Sequence, residues 1–194
     1  MFPRQNKLYE DQMMGSTEYL SSKHRIITLR GILTGESESS NLLLALADSS
    51  SKPVKILIAS PGGLVDGALM LYDTIKTVDV PVLTLGRFCY SAAVLLLAAG
   101  TKRYVMPHTH IMLHLPRGEI QGDSREIEIL QKELIKARDV MVDLLQECGV
   151  KRTRKQILGD IDRPIFMSAQ EAIDYGLADE IMTKDKLKEW FKEG

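Results

Sequence analysis

The chain has 194 residues, enough for one domain with a substantial core. Lys and Arg number 25 against 26 Asp and Glu, so the basic excess of a phosphate-gripping protein is missing and nucleic-acid binding is not expected. With 44% hydrophobic and 26% charged residues the composition is that of a folded chain, and the longest apolar run, Ala92–Ala99, is far below the roughly 18 residues of a membrane span.

No repeat or Gly/Ser-rich linker divides the chain. The first fifteen residues, MFPRQNKLYEDQMMG, lack an apolar h-region, so no secretory leader is expected. Only Cys89 and Cys148 occur, too few for a disulfide framework or a metal quartet, and a reducing cytoplasm is the expected compartment. Residues 1–22 show little periodicity and read as an arm or loop. After them strand and helix patterns alternate. Arg25–Leu29 reads as a strand, Asn41–Ala47 as a helix and Val54–Ile58 as a buried strand. Val65–Val78 reads as a helix, Pro81–Leu85 as a strand, Ala92–Ala99 as a buried helix, and Arg103–Met106 and Ile111–Leu113 as two further strands. The alternation predicts an α/β fold with a mostly parallel sheet flanked by helices.

A long helix is predicted over Ser124–Cys148, with Ile127, Leu130, Leu134, Ala137, Met141, Leu144 and Cys148 at spacings of three and four. Such a stripe must bury itself, either within the chain or against another subunit. Ser168-Ala-Gln-Glu171 has capping-box spacing, and Gly176 stands where the following helix should end.

The residues with chemical potential sit at element ends. Ser60-Pro61-Gly62-Gly63 follows a strand and precedes a helix; it is either a plain turn or a set of backbone N–H groups aimed at a bound oxygen. Ser91 opens the buried helix, as an N-cap or as a nucleophile with the Gly63 and Ala92 amides as oxyanion donors. It lies outside any Gly-x-Ser-x-Gly elbow. Of the histidines, His24 reads as solvated. His108 and His110 read as a loop pair without the carboxylates or cysteines of a metal site, so no metal is expected. His114 ends an apolar strand, where a general base is held with one nitrogen exposed.

Taken together, SPGGLVDGALMLYDTIK (60–76), SAAVLLLAAG (91–100), MPHTHIMLHLPRGEIQGDSREIEIL (106–130) and DRPIFMSAQEAIDYGLADEIM (162–182) closely resemble ClpP, the proteolytic subunit of the Clp protease. The resemblance runs from about Lys23 to Met182. It implies a ClpP/crotonase-like fold over residues 23–194, residues 1–22 as an N-terminal arm or axial loop, and the long helix as a protruding handle between rings. It also implies Ser91 as nucleophile, His114 as base, and Gly63 and Ala92 as the oxyanion amides. The reaction expected is peptide-bond hydrolysis inside a chamber of stacked heptameric rings, a tetradecamer, with polypeptide substrates. No cofactor is needed, no membrane is involved, and any ATP is spent by a separate AAA+ unfoldase.

Three departures qualify that expectation. Where the family carries the triad aspartate, this chain has Pro164, leaving Asp162 as the candidate substitute acid and low basal activity as the expectation. Tyr90 replaces a small residue before the nucleophile. The positions where an ATPase docks read Lys55, Leu57, Thr77, Tyr104 and Met182, and Lys55 and Thr77 are expected to make that surface polar. The alternatives are a non-catalytic or weakly active subunit in mixed rings with an active paralogue, and a crotonase-like acyl-CoA binder on the same core.

Overall fold

The computed structural model describes residues 23–34, 38–48, 51–119 and 121–192; the arm expected at 1–22 lies outside them. In chain order the elements are β1 (Ile26–Arg30), α1 (Glu38–Asp48), β2 (Val54–Ser60), α2 (Val65–Thr77), β3 (Val82–Tyr90), α3 (Ala93–Ala99) and β4 (Lys102–Leu113). They continue with α4 (Ser124–Glu147), α5 (Arg154–Asp160), β5 (Ile165–Met167), α6 (Ala169–Tyr175), β6 (Glu180–Ile181) and α7 (Lys184–Lys192). Strands β1 to β4 pair in sequence order and in parallel, β5 joins β4 antiparallel, and β6 pairs parallel with β4. The mostly parallel α/β sheet is as the alternation predicts.

Alternation along the strands divides the side chains between two faces. Ile27, Leu29, Val54, Ile56, Ile58, Val82 and Val105 join the main core beneath the helices. At its centre, every residue of α3 is buried, and α3 packs on β3, α2 and α4. Arg103 ties the C-terminal third to this core. Its guanidinium donates to Asp179 (2.6 and 3.2 Å), to the Cys148 carbonyl (2.9 Å) and to the Gly176 carbonyl (2.8 Å).

The strands differ from the sequence reading in three ways: β3 runs on to Tyr90, the short β5 and β6 were not foreseen, and β4 is longer than expected. Residues 102–113 form a single strand, so His108 and His110 lie within β4 rather than in a loop. Pro107 is tolerated because the ladder is interrupted around it. On one side β6 reaches only Tyr104 and Val105 and β5 only Ile111–Leu113. On the other, the pairing jumps from Gly86↔Val105 to Phe88↔His110, and a proline needs such a gap. The Thr109 hydroxyl closes the irregularity by donating to the Gly86 carbonyl (2.8 Å). Ser168 and Glu171 form the expected capping box, and Gly176 caps α6 at φ +93°.

Candidate active site

Ser91 stands in the turn between β3 and α3 with φ +55°, a left-handed conformation costly for any residue with a Cβ. Its amide donates to the Met112 carbonyl (2.7 Å), and its own carbonyl accepts from Val94 (3.0 Å), so β4 and the first turn of the buried helix hold it from both sides. A sharp strand-to-helix turn with its hydroxyl-bearing residue strained is the local geometry of a nucleophile elbow, reached here without the flanking Gly-x-Ser-x-Gly signature. Tyr90 pairs with Met112, so Ser91 and His114 leave neighbouring strands one and two residues beyond the same pair.

The Pro-Gly-Gly turn comes up beneath Ser91. Gly62 adopts φ +91°, and a Cβ on it would fall 2.7 Å from the Tyr90 carbonyl, 2.8 Å from the Ser91 Cβ and 3.1 Å from the Ala92 nitrogen. Only glycine admits that approach. Gly63 is fixed by a different contact, since a Cβ there would collide with the Leu33 backbone. The Leu33 amide donates to the Gly62 carbonyl and the Leu64 amide to the Leu33 carbonyl, both at 2.8 Å. In a parallel bridge those partners turn the intervening Gly63 N–H away from Leu33. Ser60, buried, locks the turn: its hydroxyl donates to the Gly31 carbonyl (2.6 Å) and accepts from the Gly62 amide (3.0 Å). The sequence reading used only the backbone of this motif and missed the serine's part; a serine directly before Pro-Gly-Gly was the available signal.

His114 follows β4. Its Nδ1 is buried without a hydrogen-bond partner among the described residues. Burial, with a further push from the Arg117 guanidinium, holds the imidazole below the usual histidine range, and the Leu115 backbone opposes in part. No carboxylate acts on it among the described residues. The antiparallel pairing ends at Leu113↔Ile165; His114 and Pro164 are the next residues outward on the two chains, and the proline ring offers no acceptor. Asp162 lies two residues further, its side chain 67% exposed and 3.6 Å from Arg163. The Pro-Gly-Gly turn therefore lies against Ser91 and Ala92, Ser91 and His114 sit just beyond the ends of the paired strands β3 and β4, and Asp162 faces solvent.

The surroundings follow from the same register. Tyr90, Met112 and Phe166 form a cross-strand row, and the Tyr90 ring meets Phe88 and Phe166 edge-on at centroid distances of 5.6 and 6.2 Å. The large residue before Ser91 is accommodated because it points away from the core. A cleft of about 460 Å³ opens between Val65 and Leu69 of α2, the Gly118–Glu119 loop, and Leu130 and Leu134 of α4. His108 and His110 are exposed, and among the described residues no three His, Cys, Asp or Glu side chains gather as a metal site. His24, expected to be solvated, instead sets its ring against Phe191 (5.5 Å) with Nδ1 3.2 Å from the Phe191 carbonyl. No helix among the described residues is long and apolar enough to cross a membrane.

Comparison with known proteins identifies the family. The family model for Clp protease matches residues 10–185. The ATP-dependent Clp protease proteolytic subunit 1 of Chlamydia felis (strain Fe/C-56) is 38% identical over 154 residues, 75% of this chain and 75% of its own length. The ATP-dependent Clp protease proteolytic subunit 2 of Chlamydia abortus (strain DSM 27085 / S26/3) is likewise 38% identical over 154 residues, 75% of this chain and 74% of its own. With the mostly parallel α/β sheet and the strained serine at a strand-to-helix turn, these matches show that the chain belongs to the Clp protease family.

Proposed function

We propose that the chain is a ClpP-type serine endopeptidase subunit that cleaves polypeptides within stacked heptameric rings, with low activity on its own. Ser91 Oγ attacks the peptide carbonyl while His114 takes its proton. The tetrahedral oxyanion is received by the Gly63 and Ala92 amides. His114 then protonates the leaving amine, giving an acyl-enzyme that water hydrolyses with His114 again as base.

The observation that carries this reading is the strained Ser91 with Gly62 pressed beneath it: the turn keeps φ +55° at a serine and a glycine at the one place where a Cβ would block the approach. Strain of that kind persists where the surrounding structure over-determines it, and it clusters at active sites. Low activity follows from Pro164. An imidazole without an orienting carboxylate loses its fixed tautomer and the stabilisation of its cation, a loss of about 10⁴ in kcat in a serine protease. The alternative of a non-catalytic subunit in mixed rings is favoured by that same proline. Hydrolysis of a small fluorogenic peptide by the assembled chain, abolished in Ser91→Ala with the particle size unchanged, supports the enzyme. Equal rates in both forms remove Ser91 from the chemistry.

A further inference from the structure

The second face of the sheet carries its own apolar cluster, in which Leu85, Met182 and Trp190 are buried and Leu57, Leu83, Tyr104, Met106 and Leu187 are packed around them. The described residues lying over these strands are Met182 and the short helix α7. Lys55, which the sequence suggests as a polar element of this face, is wholly buried, so its charge does not reach the surface.

The fit of α7 is incomplete. It presents Leu187, Trp190 and Phe191, at i, i+3 and i+4, while its other positions are Lys184, Asp185, Lys186, Lys188, Glu189 and Lys192. A pocket of about 200 Å³, partly open to solvent, remains between Leu187 and Trp190 on one side and Ile26, Leu57, Leu85 and Met106 on the other, a gap that a closely packed helix–sheet contact would not leave. The Trp190 indole N–H is buried with no acceptor among the described residues, a desolvation that a settled core avoids. The polar ties are peripheral: Lys186 to Glu180, and His24 to the Phe191 carbonyl. Arg87 borders the pocket, is exposed, and forms no ion pair with a described residue.

The geometry points to α7 as a displaceable cover, an intramolecular ligand that occupies an apolar docking face and yields it to a partner. The gap, the orphaned indole and the weak ties describe an occupant that is held but not locked. The incoming segment carries an apolar side chain to fill the space over Leu57, Leu85 and Met106 and an anionic group to meet Arg87. This rests on the reading that the chain serves a separate ATPase, whose docking residues the family resemblance places at Lys55, Leu57, Thr77, Tyr104 and Met182.

The test uses the full-length assembled chain and the apolar anion 1-anilinonaphthalene-8-sulfonate. Trp190 is the only tryptophan, so its emission reports on α7 directly. Wild type should show a shielded Trp190 and weak dye binding. Leu187→Asp should expose Trp190 to acrylamide and tighten dye binding at least tenfold, and adding Arg87→Gln should reverse most of that gain. Lys186→Ala, a surface change that keeps the helix, should move both readouts the same way to a smaller extent. It carries the test should Leu187→Asp change the circular dichroism or particle size. A shielded Trp190 and unchanged dye binding in both variants overturn the cover. With a Clp ATPase added, Leu187→Asp should bind at least fivefold tighter than wild type. Equal binding with Trp190 still shielded also overturns the cover. No ATPase binding by either form, with the dye response intact, overturns the ATPase reading and leaves the cover standing.

Discussion

At the scale of single residues, the chemistry turns on what faces His114. Burial first, and then Arg117, lower its imidazole pKa from the ordinary histidine value, and Pro164 is the residue just beyond the facing strand β5. A depressed pKa keeps the base in its working, unprotonated form to lower pH. The acid limb of kcat/KM should therefore fall below the ordinary histidine value of about 6.5. Pro164→Asp places a carboxylate opposite the ring. That favours the imidazolium, moves the limb to higher pH, and should raise peptide hydrolysis at least tenfold. Asp162→Asn is the companion variant. Unchanged activity assigns no acid role to Asp162, and a tenfold fall would show that the turn before Pro164 rearranges to bring it in. Gly62 provides a separate check, because its Cβ would meet both Ser91 and the Ala92 nitrogen. Gly62→Ala should lower kcat by two orders of magnitude or more, read on the same peptide, with ring assembly retained.

At the scale of elements, the handle helix is divided along its length. Met141, Val142 and Leu145 are buried at its C-terminal end, while Ile127, Ile129, Leu130, Ile135 and Val140 are each at least 41% exposed. Burying side chains of this size is worth about 1.5–3 kcal/mol each before entropy costs, so a second subunit is the natural cover. Leu130→Asp with Ile135→Asp should split the particle into smaller units, seen as a drop in mass by light scattering. Arg103 belongs to this scale too. Arg103→Ala leaves two carbonyls without their donor and Asp179 with only the residue-103 backbone amide, and should cost about 2–4 kcal/mol of stability in chemical denaturation.

Much of this was legible beforehand. The long helix, the capping box at Ser168 and the parallel strands β1 and β2 carry strong periodic or capping signals. The extension of β3 through Arg87 and Phe88 was not, because the bulge opposite Val105–His110 breaks the alternation there. Three-residue β5 is too short to show a pattern, and in α7 three apolar residues among six charged ones carry little signal without the cluster they cover. The facing of His114 and Pro164 depends on antiparallel register, which residue identities do not set.

At the scale of the whole molecule, the exposed handle, the cleft beneath it and the strained serine make sense together as one subunit of a proteolytic ring. Light scattering should give a particle many times the mass of the 21.7 kDa chain at micromolar concentration, and a monomer would remove the chamber from the account. The most direct test of the central claim is intact-mass spectrometry of the assembled protein after treatment with a fluorophosphonate. The account predicts one phosphonyl adduct per chain, mapped by peptide sequencing to Ser91, absent in Ser91→Ala and formed faster in Pro164→Asp. An unmodified wild-type chain, or an adduct on another residue, would contradict it.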